Sequence, residues 1–192
     1  NESNIERLVE QFDCNMRIKL YQIMSRHKAL AKDMYFIRDC PRTDIWRKKL
    51  VEGYKCENNS SYSNTMNIFF TRMYTDIIPR FCSLHRVNAI KIPNAEADDI
   101  ISLFIKFSDS NCVVISNDKD LFQLIKFDNV SFFNINGRCI NKKANNWCNL
   151  INFNNNELYT KVYDKQFINL NIVPYSIWEK FNTVMHNINV NR

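Results

Sequence analysis

Two short segments combine residue types and spacing that suit metal chemistry: Glu96-Ala97-Asp98-Asp99 and Asn117-Asp118-Lys119-Asp120. The first opens a stretch in which Ile100, Ile101, Leu103, Phe104 and Ile105 supply an apolar face at helical spacing, so its carboxylates fall in a first helical turn. The second directly follows Cys112-Val113-Val114-Ile115-Ser116, a β-branched run with the length of a buried strand. In open α/β sheets, sites collect outside the carboxyl ends of the strands. If the neighbouring strand ends adjoin, Glu96, Asp98, Asp99, Asp118 and Asp120 converge and repel one another. Hard divalent cations bound through oxygen relieve that repulsion, and Mg²⁺ suits a carboxylate-plus-water site. Two such ions about 4 Å apart can activate a water and stabilise the leaving oxygen of a phosphodiester. Each segment taken alone also has a plainer reading. Acids in a first helical turn favour the helix dipole, and an Asp-x-Asp turn is commonly a loop.

The elements that must position these residues follow from apolar spacing. Ile5, Leu8, Val9, Phe12, Met16, Leu20, Ile23, Met24 and Leu30 predict a helix over about 5–32. Met34-Tyr35-Phe36-Ile37 has strand length and stops before Pro41. A basic stretch follows, Trp46-Arg47-Lys48-Lys49 and then Tyr54-Lys55, ahead of a polar loop over 58–64. Residues 65–85 read as helix, 88–92 as a short strand, 96–107 as an amphipathic helix, 112–116 as a buried strand and 120–125 as a further helix. A strand over 130–135 turns at Asn136-Gly137 into Cys139-Ile140. Beyond 141 the pattern weakens, apart from a helix over 177–185. The alternation of strand and helix predicts an α/β fold around a mainly parallel sheet flanked by helices.

Composition narrows the classes. The 192 residues suit one domain with an appendage, and 45% hydrophobic residues suffice for a core. With only 2 Gly and 4 Pro, linker-like and collagen-like designs are excluded. Asn runs such as 145–146 and 154–156 carry no mechanism by themselves. The net charge of +6 favours a polyanionic partner. The 7 Cys form no C-x-x-C pair and the 3 His are scattered, which argues against structural zinc and for reduced thiols in an intracellular compartment. No apolar run is long enough to cross a membrane, and no signal peptide is visible.

Taken together, the motifs resemble those of the 5′→3′ nuclease family, which includes flap endonucleases, phage 5′ exonucleases and the 5′ nuclease domain of bacterial DNA polymerases. Asn94-Ala95-Glu96-Ala97-Asp98-Asp99-Ile100-Ile101 resembles the family's helix-opening motif, and the run from Val114 to Leu124 looks like its second acidic motif. Tyr35-Phe36-Ile37-Arg38-Asp39 resembles a strand ending in a metal-site Asp. The resemblance implies a PIN-like (resolvase-like) fold with a helical arch over 56–86. It implies Glu96, Asp98, Asp118 and Asp120 as direct or water-mediated ligands of Mg²⁺ or Mn²⁺, two ions in the intact family site, with Asp99 and Asp39 as further members. By the same resemblance Lys55 contacts the scissile phosphate. Trp46, Arg47, Lys48, Lys49, Arg72 and Arg80 would face the nucleic-acid backbone. Asp39 before Pro41 reads equally as a turn residue, Lys55 as a solvated lysine, and Phe69 and Phe70 as an ordinary apolar helix face.

Two family parts have no counterpart. Residues 1–14 contain no apolar first strand ending in Asp, since Asp13 falls in a helical pattern, and the Gly-Asp-x-x-Asp-Asn motif is replaced near Val184-Met185-His186-Asn187. The chain is then either a fragment lacking both ends, an upstream segment having been removed before Asn1, or a diverged member with a weakened second metal site. The expected organisation is a nuclease core over 1–143 and a C-terminal segment over 144–192 that starts a DNA-binding helix–turn–helix region. The expected activity is hydrolysis of DNA, or of RNA in hybrids, from a free 5′ end or flap, in replication or repair, by a monomer. A non-catalytic nucleic-acid-binding member of the same fold is the first alternative, and a protein-interaction module whose acids only cap helices is the second.

Overall fold

A computed structural model describes residues 2–55, 64–151, 157–162 and 165–190. The chain divides into two compact units, one of residues 1–38 and 47–90, the other of 39–46 and 91–192. The boundary expected near 143 is not a boundary of either unit.

In the first unit, α1 (Glu2–His27) runs where the apolar spacing predicts a helix. It is followed by β1 (Tyr35–Ile37), α2 (Asn64–Arg72), a π turn over Met73–Ile77, α3 (Ile78–His85) and β2 (Asn88–Ile90). β1 and β2 are parallel, with Phe36 opposite Ala89. The core gathers Ile5, Val9 and Leu20 of α1 against Phe69, Met73, Ile77, Ile78, Phe81 and Cys82. Residues 64–85 are thus helical as expected, but not uniformly α. Pro79 lacks an N–H and its ring crowds the carbonyl four residues back, at Thr75, and the widened turn lies at that point. With so few glycines, α3 ends on Arg86 in the left-handed region (φ 57°), whose N–H reaches back to Cys82 and Ser83 carbonyls.

The second unit holds α4 (Ala97–Phe107), β3 (Cys112–Ile115), a 3₁₀ segment (Asp120–Lys126), β4 (Val130–Phe133), α5 (Asn141–Leu150), β5 (Tyr159–Val162), β6 (Lys165–Ile168) and α6 (Tyr175–Val190). β3 and β4 are parallel, and β5 and β6 antiparallel. Its core includes Ile100, Leu103, Leu121, Phe122, Leu124, Phe132, Ala144, Leu170 and Ile177.

The fold class is α/β, helix-rich, with short parallel pairings. Among the described residues these strands form three two-stranded pairs and not one continuous sheet. In β3 Val114 is covered, Cys112 and Ile115 are half-buried and Val113 is exposed, as the alternation of strand side chains allows. The predicted turn at Asn136-Gly137 is present. Gly137 takes φ 75°, the Asn134 side chain accepts the N–H groups of Asn136 and Arg138, and Phe133 bridges Cys139 antiparallel. α5, β5 and β6 have no clear signal in the sequence, since α5 is Asn-rich and β5 and β6 are only four residues each. The polar loop expected over 58–64 lies almost wholly outside the described residues.

Candidate functional site

The start of α4 is where sequence and tertiary structure meet. Backbone N–H groups in a first helical turn lack intrahelical partners and attract acids. Three carboxylates meet that need. Asp39 accepts the Ala97 N–H at 2.6 Å, Asp99 accepts the Glu96 N–H at 3.1 Å, and Glu96 with Asp99 forms a capping box. Asp99 is fully buried and also accepts the indole N–H of Trp46 at 2.9 Å. Through Oδ2 its carboxylate holds the helix start. Glu96 is buried as well, Asp98 is half-buried and Asp39 is exposed.

The segment before α4 is braced against residues 40–46. The Cys40 N–H donates to the Ala95 carbonyl, and the Trp46 N–H to that of Asn94. Asn94 sits in the left-handed region at φ 70°, which Asn tolerates better than most residues, and its amide donates to the Asp44 carbonyl at 2.8 Å. Cys40 registers the local charge. Burial pushes its thiol up, and nearby Asp39, Asp44 and Glu96 push it further.

The second acidic segment is also a capped turn. Ser116 Oγ accepts the Asp118 N–H, and Asp118 accepts the Asp120 N–H at 3.0 Å, opening the 3₁₀ segment. Lys119 lies 4.4 Å from the ring centroid of Trp147 on α5. Buried Gln123 anchors the segment from behind. It donates to the carbonyls of Asp120 and Ile168 and accepts the Leu170 N–H. Asp118 is exposed and Asp120 half-buried.

These carboxylates are oxygen donors of the kind a hard divalent cation prefers. Their placement does not complete the fit, since among the described residues no group of three or more His, Cys, Asp and Glu lies close enough to hold a metal ion. The two acidic segments are each built as capped loop-to-helix junctions, and the convergence expected of five carboxylates is not seen.

The basic residues separate in the same way. Trp46 and Arg47, expected to face the nucleic-acid backbone, are buried, at 7% and 1% exposure. Trp46 is needed to pair Asp99, and an aromatic beside basic residues reads alike as stacking surface or core. Lys48 is half-buried, and Lys49 and Arg80 are exposed. Arg72 pairs with Glu6 at 2.6 Å. Lys55 is exposed, takes φ 50° and stands 5.7 Å from the Tyr54 ring centroid. Within the expected arch region, Phe69 is core, edge-on to Phe12, so its plainer reading holds. Sequence reasoning missed Asn94, Gln123, Trp147 and Lys180 as residues that hold the acidic segments. Only Asn94, after Pro93, carried a local turn signal.

Comparison with known proteins now bears on this geometry. A family model described as the 5′-3′ exonuclease N-terminal resolvase-like domain matches residues 12–161, more than three quarters of the chain and both acidic segments. A solved structure titled as divalent metal ions (zinc) bound to T5 5′-exonuclease is similar at 16% identity with a TM-score of 0.49, covering 67% of this chain. The chain spans about half the length of that exonuclease, 49%. No curated protein matches. By the extent of the family match, the chain belongs to the 5′-3′ exonuclease N-terminal resolvase-like domain family.

Proposed function

We propose that this chain is a divalent-metal-dependent nuclease that hydrolyses DNA phosphodiesters at or near a free 5′ end or flap. The observation that carries this reading is the family match across both acidic segments. Glu96, Asp98, Asp118 and Asp120, with Asp39 through water, are the proposed ligands of Mg²⁺ or Mn²⁺. Two ions are proposed, as in the intact family site. A bound cation of this kind supplies charge stabilisation to a phosphodiester under attack. Within one unit Asp118 and Asp39 are exposed, Asp118 on a capped turn; in the other, Lys55, Lys49 and Arg80 are exposed cations of the kind that attract phosphate. DNA is the proposed substrate, with RNA in hybrids as an extension, and replication or repair the proposed setting. We propose a monomer in a reducing intracellular compartment.

The test is cleavage of a 5′-labelled flap substrate with Mn²⁺, comparing the chain with Asp118→Asn. Cleavage by the parent chain, reduced by about 100-fold or more in the variant, is the expected result. A second reading is favoured by the absence of a gathered carboxylate trio among the described residues. In it the chain binds nucleic acid without cutting. DNA binding that survives EDTA, with no cleavage in Mg²⁺ or Mn²⁺, would select that reading.

A further inference from the structure

We propose that Lys180 is a positioning residue that clamps the loop carrying the first acidic segment. It lies in α6, beyond the residues matched by the family model. Its ammonium donates to the Asn94 side-chain oxygen at 3.2 Å and approaches the Pro93 carbonyl at 3.4 Å. The role follows from what Asn94 holds. Its left-handed backbone turns the chain so that its carbonyl accepts the Trp46 N–H at 3.0 Å, while its side-chain amide donates to the Asp44 carbonyl. The remaining oxygen of the side chain is the one that meets Lys180. From Trp46 the connection runs through the indole to buried Asp99, and so to Glu96 and the first turn of α4. Asp39, Glu96 and the first turn of α4 that carries Asp98 are thus linked through the joint at Asn94, and one cation from α6 braces that joint. A hydrogen bond from a charged donor is the stronger kind, and here it adds a second anchor to an amide already bonded to Asp44.

This inference concerns the acidic segment of the proposed nuclease site and rests on that reading only for its kinetic consequence. The test is hydrogen exchange on the full chain, with Lys180→Met, Lys180→Arg and Asn94→Gly. Asn94→Gly keeps the left-handed backbone and removes both the oxygen that meets Lys180 and the amide that donates to Asp44. Lys180→Met should raise exchange at the Cys40, Trp46 and Ala97 amides by about tenfold, with β3 and β4 unchanged. Lys180→Arg should restore protection, and Asn94→Gly should reproduce the Lys180→Met pattern. In Mn²⁺-dependent cleavage, Lys180→Met should lower kcat with KM unchanged. Unchanged exchange in Lys180→Met would overturn the proposal, as would a uniform rise across α6, β3 and β4, which would mark a merely structural lysine. If Lys180→Met fails to fold, Lys180→Ala decides by the same amides. A parent chain that does not cleave, with the exchange pattern as stated, would remove the nuclease reading and leave the clamp standing.

Discussion

At the scale of single residues, similar acids do different work. Asp99 is buried and takes N–H groups from Trp46 and Glu96, while Asp118 is exposed and closes only a local turn. Removing the Trp46 donor takes one of the hydrogen bonds from a buried carboxylate. Trp46→Phe should therefore cost about 2 kcal/mol of stability, read as a lower urea midpoint. A midpoint unchanged from the parent would mean that Asp99 is satisfied without the indole. Two groups also give opposite pH signatures. Burial first, and Lys126 second, lowers the Lys106 pKa from its ordinary 10.5, while Asp99 opposes the shift. The unfolded chain then holds that proton more tightly, so stability rises with pH in the alkaline range below 10.5. For Cys40 the folded thiol is raised above 9.0, so its contribution is complete below 9.0 and is lost as pH climbs past it. Lys106→Met should abolish the upward slope and Cys40→Ser the downward one, each measured as urea midpoint against pH.

At the scale of elements, stability at the candidate site is concentrated where secondary structures begin and end. α4 starts on three carboxylates and ends under Asn129, whose amide donates to the Ser108 carbonyl at 2.8 Å and also reaches those of Ile105 and Ser110. The 3₁₀ segment after Asp118 is short and intrinsically weak, and it stays in place because Gln123 joins it to residues 168–170. Gln123→Leu keeps the volume but leaves two buried carbonyls and one N–H with a lost partner. It should cost about 3 kcal/mol, and it should disturb Asp118 and Asp120 as well as the fold. Near-parent stability in urea would show that water or a shifted backbone replaces the amide. The Arg72–Glu6 pair, largely exposed, should by contrast contribute under about 1 kcal/mol.

At the scale of the whole molecule, the net charge of +6 bears on association and not on the fold. If the proposed partner is nucleic acid, the logarithm of affinity should fall linearly with the logarithm of salt concentration, and fluorescence anisotropy with a labelled flap would measure it. A flat salt response would count against any polyanionic partner. Among the described residues no helix is long and apolar enough to cross a membrane.

The sequence by itself determined the local and the periodic. Apolar spacing marked α1, the helical run 64–85 and α4, and the β-branched run marked β3, because each of these patterns is a property of neighbouring residues. The order of the two acidic segments carried the family, since motif spacing is also written along the chain. α5 was not legible, because its Asn-rich residues carry little apolar periodicity, and β5 and β6 are four residues each, too short for a clear period. The tertiary structure alone decided which carboxylates are structural and which are presented. That choice depends on partners far apart in sequence: Trp46 on Asp99 across 53 positions, Asp39 on Ala97 across 58, Lys180 on Asn94 across 86. No local pattern encodes such pairs, because burial and hydrogen bonding at a helix start are settled by whatever the folded chain brings beside it.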